Sequence, residues 1–92
     1  MPYYVYVLYS ESHNIYYKGF TEAVLKRLHE HNSNLGRYTA NKGPWTLLIV
    51  EQFATKREAL LRERSLKKSK ASYFEWLRIQ QSNIISEFVA DN

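Results

Sequence analysis

Residues 3–9 read Tyr3-Tyr4-Val5-Tyr6-Val7-Leu8-Tyr9, a run of β-branched and aromatic residues with no polar alternation. A strand with one wet face alternates apolar with polar side chains, so this run fits a strand covered on both faces and placed centrally in a sheet. The polar stretch Ser10-Glu11-Ser12-His13-Asn14 then turns the chain. Ile15 to Gly19 supplies a second short strand, which makes the first two elements a β-hairpin ended by Gly19.

Working outward, Thr21 offers an N-cap hydroxyl and Glu22 an acid for a first helical turn, while Val24, Leu25 and Leu28 recur at helical spacing. That helix should stop near Asn32. Ser33 to Gly43 has no periodicity and reads as a mobile surface loop with basic tips at Arg37 and Lys42. Pro44 introduces a third strand, Trp45 to Phe53. Thr55-Lys56-Arg57-Glu58 is a capping box that opens a helix running to about Lys68. A last helical segment is expected over about Ser72 to Gln80, with Tyr73, Trp76 and Leu77 on one side; the tail from Asn83 either extends it or frays. The order β-β-α-β-α-α describes an α+β fold, a small three-stranded, largely antiparallel sheet flanked by helices.

The chain has 92 residues, 45% of them apolar, which suits a single domain over 1–92 with its core at about 3–76 and a helical tail at 77–92. Aromatic residues at 15% argue against disorder. With no cysteine, disulfides, thiolate catalysis and zinc-thiolate sites are excluded. No apolar run approaches the roughly 20 residues that span a bilayer. Met1-Pro2-Tyr3-Tyr4 lacks the features of a secretory signal, so the cytoplasm is the expected compartment. Thirteen Lys and Arg against 9 Asp and Glu give a formal charge of +4, which favours polyanionic partners.

On the second helix Ala59, Glu63 and Leu66 fall on one stripe, so a carboxylate sits in the middle of a face that ought to be apolar. Either that position lies at the edge of the face, or the ionised carboxylate needs a partner: a cation such as Arg27 or Lys67, or a bound metal ion. Arg27 and His31 are one turn apart on the first helix, where they either clamp a phosphate or form a solvated polar face. His29 points away from His31 and His13 lies in a turn, which disfavours a His-His metal site. The tyrosines of the first two strands fill a small core, and beside basic loops they also suit base stacking. The run Arg62-Glu63-Arg64-Ser65-Leu66-Lys67-Lys68-Ser69-Lys70, with Lys18, Arg37 and Lys42, fits either a nucleic-acid backbone contact or a solubilising helix face.

Tyr4-Val5-Tyr6, then Tyr17-Lys18-Gly19, Arg27-Leu28-His29-Glu30-His31-Asn32 and Ala59-Leu60-Leu61-Arg62-Glu63-Arg64-Ser65-Leu66-Lys67 together resemble the GIY-YIG nuclease domain, above all its small bacterial members. The resemblance covers about Tyr3 to Trp76. It implies a three-stranded sheet flanked by helices and metal-dependent phosphodiester hydrolysis, as in homing endonucleases and the incision subunit of nucleotide excision repair. It assigns Tyr6 and Tyr17 to the tyrosines of the two name-giving motifs, Arg27 to the catalytic arginine and His31 to the position one turn later. Glu63 matches the carboxylate that holds one divalent ion, Mg²⁺ or Mn²⁺. The implied reaction is an in-line displacement in which Tyr6 accepts a proton from the attacking water. The chain departs from the pattern in lacking the first-motif glycine, in carrying Lys18 for isoleucine, and in having no asparagine between Ala71 and Trp76.

The expected partner is DNA, with branched, damaged and single-stranded forms open, RNA not excluded, a larger protein partner allowed and no membrane. Two other readings stand beside the endonuclease: a weakly active or inactive nucleic-acid-binding module on the same scaffold, and a protein-interaction module using Trp45 or Trp76.

Overall fold

The computed structural model describes residues 1–89. Strands β1 (Tyr3–Ser10), β2 (Ile15–Thr21) and β3 (Thr46–Phe53) form one antiparallel sheet in the order β2-β1-β3, so the tyrosine-rich strand is central. Helix α1 (Val24–Asn32) follows the hairpin, α2 (Lys56–Lys67) and α3 (Ala71–Leu77) follow β3, and a short 3₁₀ turn covers Ile85–Glu87.

Strand alternation splits β1 between two cores. Val5 and Val7 join Ile49, Ala59 and Leu66 of α2, and Phe74 and Leu77 of α3 on one face. Tyr6 and Leu8 join Val50, Leu47, Trp45 and Val24 of α1 on the other, where Ile84, Ile85 and Phe88 of the tail also pack. The capping box forms as read: Thr55 Oγ1 accepts from the Glu58 amide while the Glu58 carboxylate accepts from the Thr55 amide.

Several local expectations are corrected. Gly19 does not end β2, which continues to Thr21; it sits opposite Tyr6 because a Cβ there would lie 2.6 Å from Tyr6 Oη and 2.7 Å from Cζ. The glycine thus makes room for an aromatic ring crossing over the neighbouring strand. Thr21 is not the N-cap of α1. Ala23 holds that position, Thr21 Oγ1 accepts from the Ala23 amide in the preceding turn, and Glu22 therefore falls outside the first helical turn.

The segment from Ser33 to Gly43 is not a free surface loop. Thr39 is fully buried, Asn32 clasps Trp45 through both its backbone amide (2.6 Å) and its carbonyl (3.2 Å), and the Trp45 indole donates to the Thr39 carbonyl. Single polar side chains, with no periodic pattern, pin it to the core. Trp45 is accordingly interior, which leaves only Trp76, 53% exposed, of the pair considered for a protein contact.

Helix α3 ends at Leu77, short of Gln80, and the tail turns back onto β3. Asn83 directs this return: Oδ1 accepts from the amides of Val50 and Ile85, and Nδ2 donates to the carbonyls of Leu48 and Arg78. The Ile84 amide donates to the Val50 carbonyl at 2.8 Å. Among the described residues no helix is long and apolar enough to cross a membrane.

Candidate functional site

The sheet and the first helix bring Tyr6, Tyr17, Arg27 and His31 together. Tyr6 is almost fully buried, with its Oη 2.9 Å from His31 Nε2. Tyr17, from β2, lies with its ring 4.8 Å from that of His31 and 6.2 Å from that of Tyr6. His31 closes a polar chain, because its Nδ1 stands 2.6 Å from Thr39 Oγ1. Arg27 is steadied by Glu30 one turn on, its Nη1 donating to Oε1 at 2.8 Å, and still keeps about a third of its side chain exposed.

The electrostatics of this group are set by burial. Burial pushes the Tyr6 phenol up to about 12, with Tyr17 adding to the rise and Arg27 opposing it. Burial also pushes His31 down to about 4, helped by the Arg27 charge, so the imidazole is neutral at neutral pH. Arg27 does not outweigh the desolvation of Tyr6, and the chain's own groups thus leave that phenol a weaker acid than free tyrosine.

Glu63 reaches the same neighbourhood from α2, near enough for its charge to contribute to the rise at Tyr6. It lies on the α2 stripe between the fully buried Ala59 and Leu66, with its side chain 19% exposed. Its cation is Lys67, at a loose 3.9 Å, whereas Arg27 is taken by Glu30. A carboxylate so placed fits a Mg²⁺-type ion, which is held by one or two carboxylates and completes its octahedron with water and substrate phosphate oxygens. Among the described residues no group of three or more His, Cys, Asp and Glu assembles, so an all-protein metal cage does not fit.

Beside the cluster lies a cleft of about 560 Å³ walled by Tyr17, Arg27, His31, Arg37, Tyr38 and Lys42. A second hollow of about 350 Å³ shares Tyr17 and Tyr38 and adds Lys18 and Lys67. The Tyr17 and Tyr38 rings stack at 5.8 Å, and Lys42 Nζ sits 4.0 Å from the Tyr38 centroid. Burial and the charge of Lys67 both lower the Lys18 ammonium from its usual value, so the two cations crowd one wall. Lys68 and Lys70 are exposed at the end of α2 and line neither hollow.

Arg62, part of the basic run, is spent elsewhere: it donates to both oxygens of buried Glu51, at 2.7 and 3.2 Å, and to Tyr73 Oη at 2.8 Å. The sequence reading missed this pair, and missed Thr39, Tyr38 and Asn83. Only Glu30 had a readable signal, its i,i+3 spacing from Arg27.

Residues 2–83 match the GIY-YIG catalytic domain family. The chain is 41% identical over 83 residues to a UPF0213 protein of Bacillus pumilus, covering 85% of this chain and 84% of that one. It is 36% identical over 88 residues to a UPF0213 protein of Streptococcus pneumoniae, covering 92% and 88% respectively. The solution NMR structure of a UPF0213 protein from Bacillus halodurans superposes with a TM-score of 0.55 at 29% identity, over 97% of this chain and 95% of that one.

Proposed function

The chain belongs to the GIY-YIG catalytic domain family, a nuclease family, and from that premise we propose that it is a divalent-metal-dependent endonuclease acting on DNA. The observation that carries this reading is the meeting of Tyr6, Tyr17, Arg27, His31 and the loosely paired Glu63 beside a basic cleft. Arg27 neutralises charge on the phosphoryl group, presenting the guanidinium that Glu30 holds in place. Tyr17 and the neutral His31 wall the position of the scissile phosphate, and burial of the cluster keeps bulk water out. Lys18, Arg37, Lys42 and Lys67 track the phosphates on either side, with Lys68 and Lys70 giving outlying attraction. Glu63 would hold one Mg²⁺ or Mn²⁺, which supplies positive charge to the leaving oxygen and to nearby acids. Proton acceptance by Tyr6 depends on such added charge, since burial sets the phenol against it. Repair or recombination is the setting expected, in the cytoplasm.

Plasmid nicking by wild type and Glu63→Gln in Mg²⁺, Mn²⁺ or EDTA tests this. Nicking should disappear with EDTA and fall at least about a hundredfold in the variant, the scale of a lost transition-state charge contact. Undiminished nicking by Glu63→Gln would remove the metal assignment. Salt-sensitive DNA binding by folded wild type without nicking of any substrate would leave the binding module as the better reading.

A further inference from the structure

Tyr38 is an aromatic residue kept out of the core. It is 55% exposed, although its neighbour Thr39 is fully buried and fixes the backbone at that point. The Ala40 amide donates to the Gly36 carbonyl at 3.0 Å and the Asn41 amide donates to Asn34 Oδ1 at 2.9 Å, so the turn that carries Tyr38 is tied down. One face of the ring is backed by Tyr17, stacked at 5.8 Å and 28°, and Tyr17 itself packs against His31 and Trp45. The result is a flat apolar surface, held in place on the wall that it shares with Arg27 and His31.

Tyr17 and Tyr38 line both hollows, so the pair stands between them. Each hollow brings its own cations: Arg37 and Lys42 on one side, Lys18 and Lys67 on the other. Two groups of cations with an aromatic surface between them match a nucleotide chain, in which charged phosphates flank each base. Tyr38 offers one face only, because Tyr17 covers the other, so the ring cannot enter a duplex as a wedge held between two bases. It can receive a single base that has left its stack.

We propose that Tyr38 is the platform for one unpaired nucleobase of the DNA strand, whose neighbouring phosphates lie in the two hollows. In the free protein Lys42 Nζ stands over that ring, 4.0 Å from its centroid. An exposed ammonium gains about twofold to fivefold from such a position, whereas a stacked base gains roughly fivefold to 150-fold. The base therefore displaces the ammonium, and the released Lys42 meets a phosphate. Tyr38 is a specificity residue that stays outside the reacting group. It makes a strand unpaired beside the cut the preferred substrate, a consequence that rests on the proposed nuclease function.

Fluorescence anisotropy in EDTA separates binding from cutting and reads the platform directly. The probes are a short single-stranded DNA of mixed sequence and a chain of the same length made only of abasic deoxyribose phosphates. Wild type should bind the first at least about fivefold more tightly; Tyr38→Ala should abolish that preference and Tyr38→Phe should restore it. An unchanged preference in a folded Tyr38→Ala, or a Tyr38→Phe that behaves like Tyr38→Ala, overturns the proposal. Should Tyr38→Ala not fold, wild-type spectra with labelled tyrosine decide. The Tyr38 ring protons, identified by their loss in Tyr38→Phe, should move upfield with the single strand and not with the abasic chain; equal movement with both, or none, overturns the platform. In Mg²⁺, cutting of the single strand relative to its duplex should fall at least about fivefold in Tyr38→Ala. A wild type that shows the base preference but cuts nothing would overturn the proposed function and leave the platform standing. A wild type that nicks DNA without the base preference would overturn the platform alone.

Discussion

The two faces of the sheet are built from the same strand to opposite ends. On the α2–α3 face, Val5 and Val7 meet Ile49, Leu66, Phe74 and Leu77, and buried Glu51 opposite Val5 is closed off by the Arg62 guanidinium of α2. On the α1 face the same strand contributes Tyr6, and the interior there also holds His31 and Thr39, both buried. The first face gains from burial directly, at about 25 cal/mol per Å² of apolar surface removed from water. The second must satisfy the polar atoms it buries, through the Tyr6–His31–Thr39 chain and the Trp45 indole bond to the Thr39 carbonyl, and among the described residues no buried side-chain polar atom lacks a partner. The comparison teaches that one side of the sheet buries mostly apolar groups and the other a polar chain, with Glu63 of α2 reaching from the first toward Tyr6 of the second.

That division can be broken most forcefully at Phe74. Phe74→Ala should lower the unfolding free energy by about 4 kcal/mol, measured by urea denaturation, since it opens a cavity among the apolar side chains of that core. A loss under about 1 kcal/mol would mean that the face is less closely packed than described.

A smaller effect of a different kind belongs to the other face. His31 is held near a pKa of about 4 against an ordinary value of 6.5, so its contribution to stability is complete above about pH 6.5 and is lost as pH falls through 4. The loss should be about 3 kcal/mol and absent from His31→Gln, read as the difference in pH dependence between the two proteins. Equal pH dependence in both would show that the histidine is not buried neutral.

The smallest effect should lie on the rim. Lys42→Ala should leave folding unchanged and reduce the slope of log binding constant against log salt by about 0.9 for duplex DNA, the share of one phosphate contact. An unchanged slope would take Lys42 out of the nucleic-acid path.

The parts of the molecule legible in sequence are those whose cause is local or periodic. The tyrosine-rich β1, the Thr55–Glu58 box and the Glu63 stripe of α2 each follow from residues within a few positions of one another. Gly19 was misread because its reason is the ring of Tyr6 on the adjacent strand. Thr39 and Asn32 were unreadable because each anchors a loop through one side chain at a distance no pattern encodes. Arg62 looked like its neighbours in a basic run, and only the fold shows that it turns inward to Glu51. The candidate site was nameable through its resemblance to a family. The wiring of that site, Glu30 to Arg27 and Thr39 to His31, had to come from the structure.

The return of the tail onto β3 has a consequence for how this protein meets its own copies. A three-stranded sheet has two open edges, and an unpaired strand edge is a template for pairing with another chain. At β3 the outward-facing backbone groups of Val50 and the carbonyl of Leu48 are already occupied by Asn83 and Ile84. One asparagine and one amide therefore act as a stopper on that edge, leaving β2 as the side from which a further strand could be added.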